Sequence, residues 1–187
     1  IRPEGLLARY SAPRDAAATF LLAGFDTTAA GLYWTMDQLL AHPEALARVQ
    51  QEVRDPDWSE RSPWLMASIH EAMRLYPPVW FMGREAIADT HLGGYVVPAG
   101  SFAVTSPYLI HRNPRVWPQP HQFRPERFIG TPVPARNYMP FGLGVRMCIG
   151  KHLALTELAL AVGQLLRDYR LEVVESGDRR HPSDFTL

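Results

Sequence analysis

Phe141-Gly142-Leu143-Gly144-Val145-Arg146-Met147-Cys148-Ile149-Gly150 is the stretch from which the rest of the chain can be organised. It holds the only cysteine in 187 residues. Gly142, Gly144 and Gly150 around it permit a tight turn and let something flat or bulky approach the backbone. Leu153, Leu155, Leu158, Leu160, Val162, Leu165 and Leu166 follow and cover most of a helical circumference. That pattern predicts a deeply packed helix from Cys148 to about Tyr169. Cys148 then sits at a helix N-terminus, where unpaired N–H groups and the macrodipole stabilise an anion and lower a thiol pKa.

Composition narrows what such a cysteine can serve. A single cysteine excludes an internal disulfide, a Cys-cluster zinc site and an iron–sulfur cluster. Nineteen basic residues balance nineteen acidic ones, so no global field points to nucleic acid or to a membrane surface. No run of 18 apolar residues predicts a membrane-spanning helix. The first residues, Ile1-Arg2-Pro3-Glu4, resemble neither a signal peptide nor a natural start and read as mid-protein. A chain of this length can bury a substantial core, and the length favours one domain.

Upstream, Pro13 to about Ala41 reads as one long helix, with Ser11 as cap, Pro13 in the first turn and Asp15 at the positive end. Ala16 to Leu22 is apolar almost all round, which predicts burial. Ala23-Gly24-Phe25-Asp26-Thr27-Thr28 interrupts that pattern. Glycine opens space beside the backbone and a threonine hydroxyl can compete for carbonyls, but a packing notch with a solvent-facing Asp26 fits equally. His42-Pro43 ends this helix, and Pro43 opens a second running to about Arg54. Ser62-Pro63 caps a third, with Leu65, Ile69, Met73 and Tyr76 on one face, which Pro77-Pro78 stops. Glu71 and Arg74 share a face of it, and an ordinary exposed ion pair is the simplest account of them. His70-Glu71 is not a zinc-protease HExxH, because the second histidine is absent.

From Val79 to Ser106, turn signals at Gly93-Gly94 and Pro98-Ala99-Gly100 separate short apolar runs, predicting two or three strands. Residues 112–140 are dense in proline and predict an ordered loop, with Trp117, Phe123, Phe128 and Tyr138 available for burial. Leu171 to Val174 reads as a strand and residues 178–182 as a turn.

Two chemistries fit Cys148. It could be a free nucleophile, for which His152 lies one helical turn away. Alternatively it could be the axial thiolate of a haem iron, pushing electron density that favours O–O cleavage. Four motifs bear on the choice. Phe141 to Gly150 resembles, at every fixed position, the haem signature FxxGxRxCxG of cytochromes P450, the family known for that ligation. Ala154 suits the small residue that often follows. Residues 23–28 look like that family's oxygen-activation motif. Glu71-Ala72-Met73-Arg74 looks like its ExxR motif, and Phe123-Arg124-Pro125-Glu126-Arg127-Phe128 like its PERF motif. All four occur in the family's order.

The resemblance implies a mainly α fold with a small β region: the C-terminal portion of the P450 fold, with long central helix, ExxR helix, meander, cysteine loop and following helix. Residues 1–187 are then the C-terminal haem-binding part of a single domain whose N-terminal half is absent from this chain. It further implies haem b, with Cys148 as iron ligand, and Phe141 and Gly150 as part of its cradle. Arg146, Arg84 and His111 would be at the propionates. Gly24 would make room for O2, and Asp26 and Thr27 would relay protons. Glu71, Arg74 and Arg127 would form a buried network. Ala23, Val79, Trp80, Phe81 and Phe185 would border an apolar small-molecule substrate.

The implied function is a monooxygenase fed by a ferredoxin, flavodoxin or reductase-type electron donor. Asp26-Thr27 favours this over a peroxide-driven enzyme. Isomerisation or oxidative coupling at the same site, and a truncated non-catalytic haem-binding fragment, are the alternatives. From Arg112 to Lys151 seven basic residues face one acidic, Glu126, which suits an acidic donor or else a solvated loop. Eighteen arginines against one lysine, and no long insertion between the second and third helices, suggest a cytoplasmic bacterial protein.

Overall fold

Proline placement and apolar period set the helices. The computed structural model describes residues 12–130 and 133–173. Helices α1 (Pro13–Ala41), α2 (Pro43–Val53) and α3 (Pro63–Leu75) each begin with proline in the first turn, where its missing N–H costs nothing. Strands β1 (Met82–Glu85), β2 (Thr90–Leu92), β3 (Tyr95–Val97) and β4 (Phe102–Thr105) follow, then a short helix α4 (Pro107–Ile110) and the long helix α5 (Lys151–Asp168). Between α4 and α5 lie three 3-10 turns, Pro125–Phe128, Ala135–Asn137 and Gly144–Arg146. None of the helices among the described residues is long and apolar enough to cross a membrane.

The core is where α1, α2, α3 and α5 meet, around Leu39, Val49, Val53, Leu65, Ile69, Leu158, Val162 and Leu166. Gly31 lets α1 close onto α5: a Cβ there would stand 3.2 Å from Leu158 Cδ1. A methyl at Gly163 would run into the Trp58 ring. The start of α3 is not capped by Ser62, contrary to expectation. Glu52 of α2 takes that place, its carboxylate accepting from Trp64 N at 2.9 Å and Leu65 N at 3.0 Å. A carboxylate at a helix N-terminus meets both the unpaired N–H groups and the dipole, so one side chain joins two helices.

Several expectations are corrected. Ala16 to Leu22 is not buried, since Leu21, Leu22 and Phe25 are 76–77% exposed. Only the later turns of α1, from Gly31 to Leu39, are buried against the rest of this chain. Leu153 and Leu160 of α5 are likewise exposed, while Leu158, Val162 and Leu166 are buried. That helix starts at Lys151 rather than Cys148. Four strands replace two or three, as two antiparallel pairs: β1 with β4, and β2 with β3 around Gly93-Gly94. Both glycines have positive φ (59° and 87°), as a two-residue hairpin turn of the primed type needs. Residues 171–173 form no strand. Ser11, Val174, the turn at 178–182 and Phe185 lie outside the described residues.

The proline-rich loop is tied to α3 by a buried polar network. Glu71 and Arg74 are both fully enclosed, not exposed. Arg74 Nε donates to Glu71 Oε2 at 2.7 Å and Nη2 to Oε1 at 2.9 Å. Its remaining N–H groups reach the carbonyls of His111 and Pro120, each at 2.8 Å, and Gln122 at 3.1 Å. The guanidinium thus has no donor left over, which is the condition for burying it. Glu71 Oε1 also accepts from Arg124 N at 2.8 Å and Arg127 Nε at 3.2 Å. Trp117 lies under Arg74, 5.1 Å from guanidinium carbon to ring centre.

Beside the network sits an aromatic cluster of His70, His111, Trp117, Phe128 and Tyr138. Tyr138 Oη lies 2.9 Å from His70 Nδ1 and donates to His70 O at 3.1 Å. Burial first, and then the charge of Lys151, lowers the His70 pKa to about 4. Burial is also the largest cause at His111, which is lowered to about 3; the charges of Arg74 and Arg112 act in the same direction against a backbone hydrogen bond.

Removing Glu71 should strand Arg74 in the interior. We expect Glu71→Ala to destabilise by about 3–5 kcal/mol in chemical unfolding. A second expectation concerns acid. Both histidines titrate lower when folded than their ordinary value of 6.5, so between the two values the unfolded chain binds more protons. Their contribution is present above pH 6.5 and is lost as pH falls. Approaching pH 5, stability should drop by up to about 1.4 kcal/mol per pH unit for each histidine. Unfolding midpoints at pH 7.5, 6 and 5 check this, and a flat profile would refute it.

Candidate functional site

The cysteine loop is closed by its own backbone. Phe141, half-buried, packs against the core and anchors the entry. Cys148 N donates to Phe141 O at 2.9 Å, Met147 N to Gly144 O at 3.0 Å, and Gly142 N to Met139 O at 3.0 Å. Gly142 and Gly144 adopt φ of 73° and 70°, a left-handed conformation that other residues resist. A Cβ at Gly142 would also stand 3.3 Å from Met82 Sδ, so the loop lies against the start of β1. The exposed residue Arg84 is two positions further along that strand, its Nη1 donating to Gly83 O at 2.7 Å.

The loop presents Cys148 outward. It is an exposed free thiol, two residues before Gly150, the N-cap of α5. Val145 is fully exposed, Ile149 largely so and Met147 nearly half, giving the thiol an apolar rim with the exposed Arg146 among it. No group of three or more His, Cys, Asp or Glu suited to a metal ion occurs among the described residues. This donor set fits a haem. The macrocycle brings four nitrogen ligands of its own and needs a single protein thiolate, an apolar face and a cation for its carboxylates.

The α1 notch is an open edge. Beyond its own turn of helix, a Cβ at Gly24 would meet nothing within 4 Å among the described residues. Thr27 Oγ1 donates to Ala23 O at 2.6 Å. Thr19 and Thr35 make the same bond to the carbonyl four residues back, so that bond alone does not distinguish Thr27. The helix continues unbroken through the notch, with Ala23 and Asp26 exposed and Thr27 half-buried. Val79, Trp80 and Phe81 are half-buried after α3, the last two edge-to-face with ring centres 4.6 Å apart. Ser106 Oγ donates to Trp80 O at 2.8 Å and fixes that turn.

The structure brings Glu71, Arg74 and Arg127 together. It places His111 away from any surface that a propionate could approach: the ring is fully enclosed by protein, and Nε2 accepts from Met139 N at 2.9 Å. Residue patterns missed the parts played by His70, Tyr138 and Glu52. Their partners lie 12 to 68 positions away, beyond the reach of any local signal.

Comparison with known proteins agrees with this geometry. The family profile described as cytochrome P450 matches residues 14–186. Cytochrome P450 4c3 of Drosophila melanogaster is 35% identical over 98% of this chain and 36% of its own length. Cyclooctat-9-en-7-ol 5-monooxygenase of Streptomyces melanosporofaciens is 41% identical over 86% of this chain and 37% of its own. The crystal structure of CYP175A1 from Thermus thermophillus superposes with a TM-score of 0.77 at 34% identity, covering 91% of this chain and 41% of that one. The chain therefore spans little more than a third of the length of the first two relatives, and over that part it belongs to the cytochrome P450 family.

Proposed function

We propose that this chain carries the haem-thiolate part of a monooxygenase that inserts one oxygen atom of O2 into an apolar small molecule. The observation that carries this is the outward-facing Cys148 in a backbone-closed loop with an apolar rim. Cys148 would ligate the iron, Phe141 and Gly150 would border the cofactor, and Arg146 and Arg84 would meet its propionates. Bound haem b would supply the reductive activation of O2.

The remaining work falls to this chain's own residues. Gly24 leaves the edge of α1 open. Asp26 would pass protons in from solvent and the Thr27 hydroxyl would orient a water at that edge, because breaking an O–O bond toward water needs protons delivered to one oxygen. Thr27 Oγ1 already has an acceptor in Ala23 O, which orients its lone pairs for an incoming donor. Ala23, Val79, Trp80 and Phe81 would border the substrate, and the exposed apolar side chains of α1 favour an apolar one.

Electrons would come from a ferredoxin, flavodoxin or reductase. Arg127 is committed to Glu71, and Arg112 lies over Tyr108, 3.7 Å from its ring centre. Arg115, Arg124 and Arg136 are exposed and available to steer an acidic donor. The share of its relatives' length that the chain covers supports a second reading, a haem-binding part that is not catalytic by itself.

A reduced, CO-bound spectrum of the haem-loaded protein should show a thiolate-type Soret band. Cys148→Ala should abolish that band, and its persistence would refute the ligand assignment. With NADPH, O2 and a partner reductase, Thr27→Ala should lower product per electron and raise hydrogen peroxide. Unchanged coupling would remove Thr27 from the relay.

A further inference from the structure

His111 takes no part in the chemistry above, yet it is among the largest fully buried side chains of the molecule. Its hydrogen bonds join two regions. Its carbonyl accepts from Arg74 at 2.8 Å, while its ring Nε2 accepts the N–H of Met139 at 2.9 Å. Met139 O in turn accepts from Gly142 N at 3.0 Å, and Phe141 O from Cys148 N at 2.9 Å. A hydrogen-bonded route therefore runs from Glu71 and Arg74, through His111 and Met139, to the loop that holds the thiol.

The ring's protonation state follows from this geometry. Because Nε2 faces a backbone N–H, it must be the unprotonated nitrogen, and the proton sits on Nδ1. Nδ1 is buried without a partner among the described residues. An unpaired buried donor is costly, and the opposite tautomer would be worse, setting N–H against N–H at Met139. The ring lies against Tyr138, 5.3 Å between centres, which limits its freedom to turn away. Burial and the flanking Arg74 and Arg112 keep the imidazole neutral, as an acceptor must be.

We propose that His111 is a positioning residue for the cysteine loop: by accepting the Met139 N–H, its ring transmits the placement of the Glu71–Arg74 pair to residues 139–148 and thereby to the Cys148 thiol. This assigns the ring a structural acceptor role in place of a propionate contact. The consequence for iron ligation rests on the reading of Cys148 as ligand; the consequence for loop closure does not.

Side-chain reach makes the idea testable. In glutamine, the terminal oxygen can occupy the place of Nε2 and accept from Met139. Asparagine reaches only the place of Nδ1, and leucine keeps bulk without an acceptor. The haem-loaded full chain is compared as wild type, His111→Gln, His111→Asn and His111→Leu by amide hydrogen exchange, thermal melting and reduced CO-bound spectra. Loss of one hydrogen bond should speed exchange across residues 138–150 about tenfold in the Asn and Leu variants, with α2 and α3 unchanged and the Gln variant restored toward wild type. The thiolate-type band should weaken in the same order.

Wild-type exchange across 138–150 in His111→Leu would overturn the proposal. If the Leu variant does not fold, equal exchange in the Asn and Gln variants would overturn it as well, since packing alone would then explain the site. A thiolate-type band missing from the wild type would instead defeat the ligand assignment, while the exchange comparison still decides the role of His111.

Discussion

The buried pair of Glu71 and Arg74 is the constraint on which the rest depends. Taking two charges out of water costs several kcal/mol per ion, and their mutual attraction offsets this only if every remaining hydrogen-bonding group is satisfied. Here the satisfying groups are the carbonyls of His111, Pro120 and Gln122 and the N–H of Arg124. A segment too rich in proline to form regular structure is thereby given a defined path. Its irregular carbonyls, which a helix or sheet would have used internally, become the ligands of a guanidinium.

That arrangement places order where the chemistry needs it. Phe141 anchors one end of the cysteine loop in the core, and α5 holds the other. Between them, two glycines in left-handed conformations let the chain turn outward and present the thiol with its apolar rim. Thermodynamically, the loop's exposed side chains contribute little to the fold, so the rigid scaffold must come from elsewhere. It comes from α3 and from the packing of α1 on α5 at Gly31 and Leu158.

Local signals carried much of this. The helices began at the prolines and ended near the residues that the pattern indicated, because proline geometry and the residue before it act within a few positions. Motif spacing put Glu71 and Arg74 on one face of α3. Burial was less legible. Leu21 and Leu22 have a core-like pattern but remain largely exposed, and the same residues that predict an interior form an exposed apolar edge. The capping of α3 by Glu52 and the partnership of Tyr138 with His70 depend on which elements meet, which no short window encodes.

By itself, then, the sequence determined the helices, the single thiol, its glycine-flanked turn and the family to which these belong, since each is a matter of residue type at short spacing. Tertiary structure decided that Glu71 and Arg74 are interior rather than solvated, that Cys148 lies ahead of α5 rather than in its first turn, and that His111 faces Met139. Those outcomes turn on long-range burial. A charge, a thiol or an imidazole takes its character from the dielectric and the partners around it, and both are set only when distant segments close on one another.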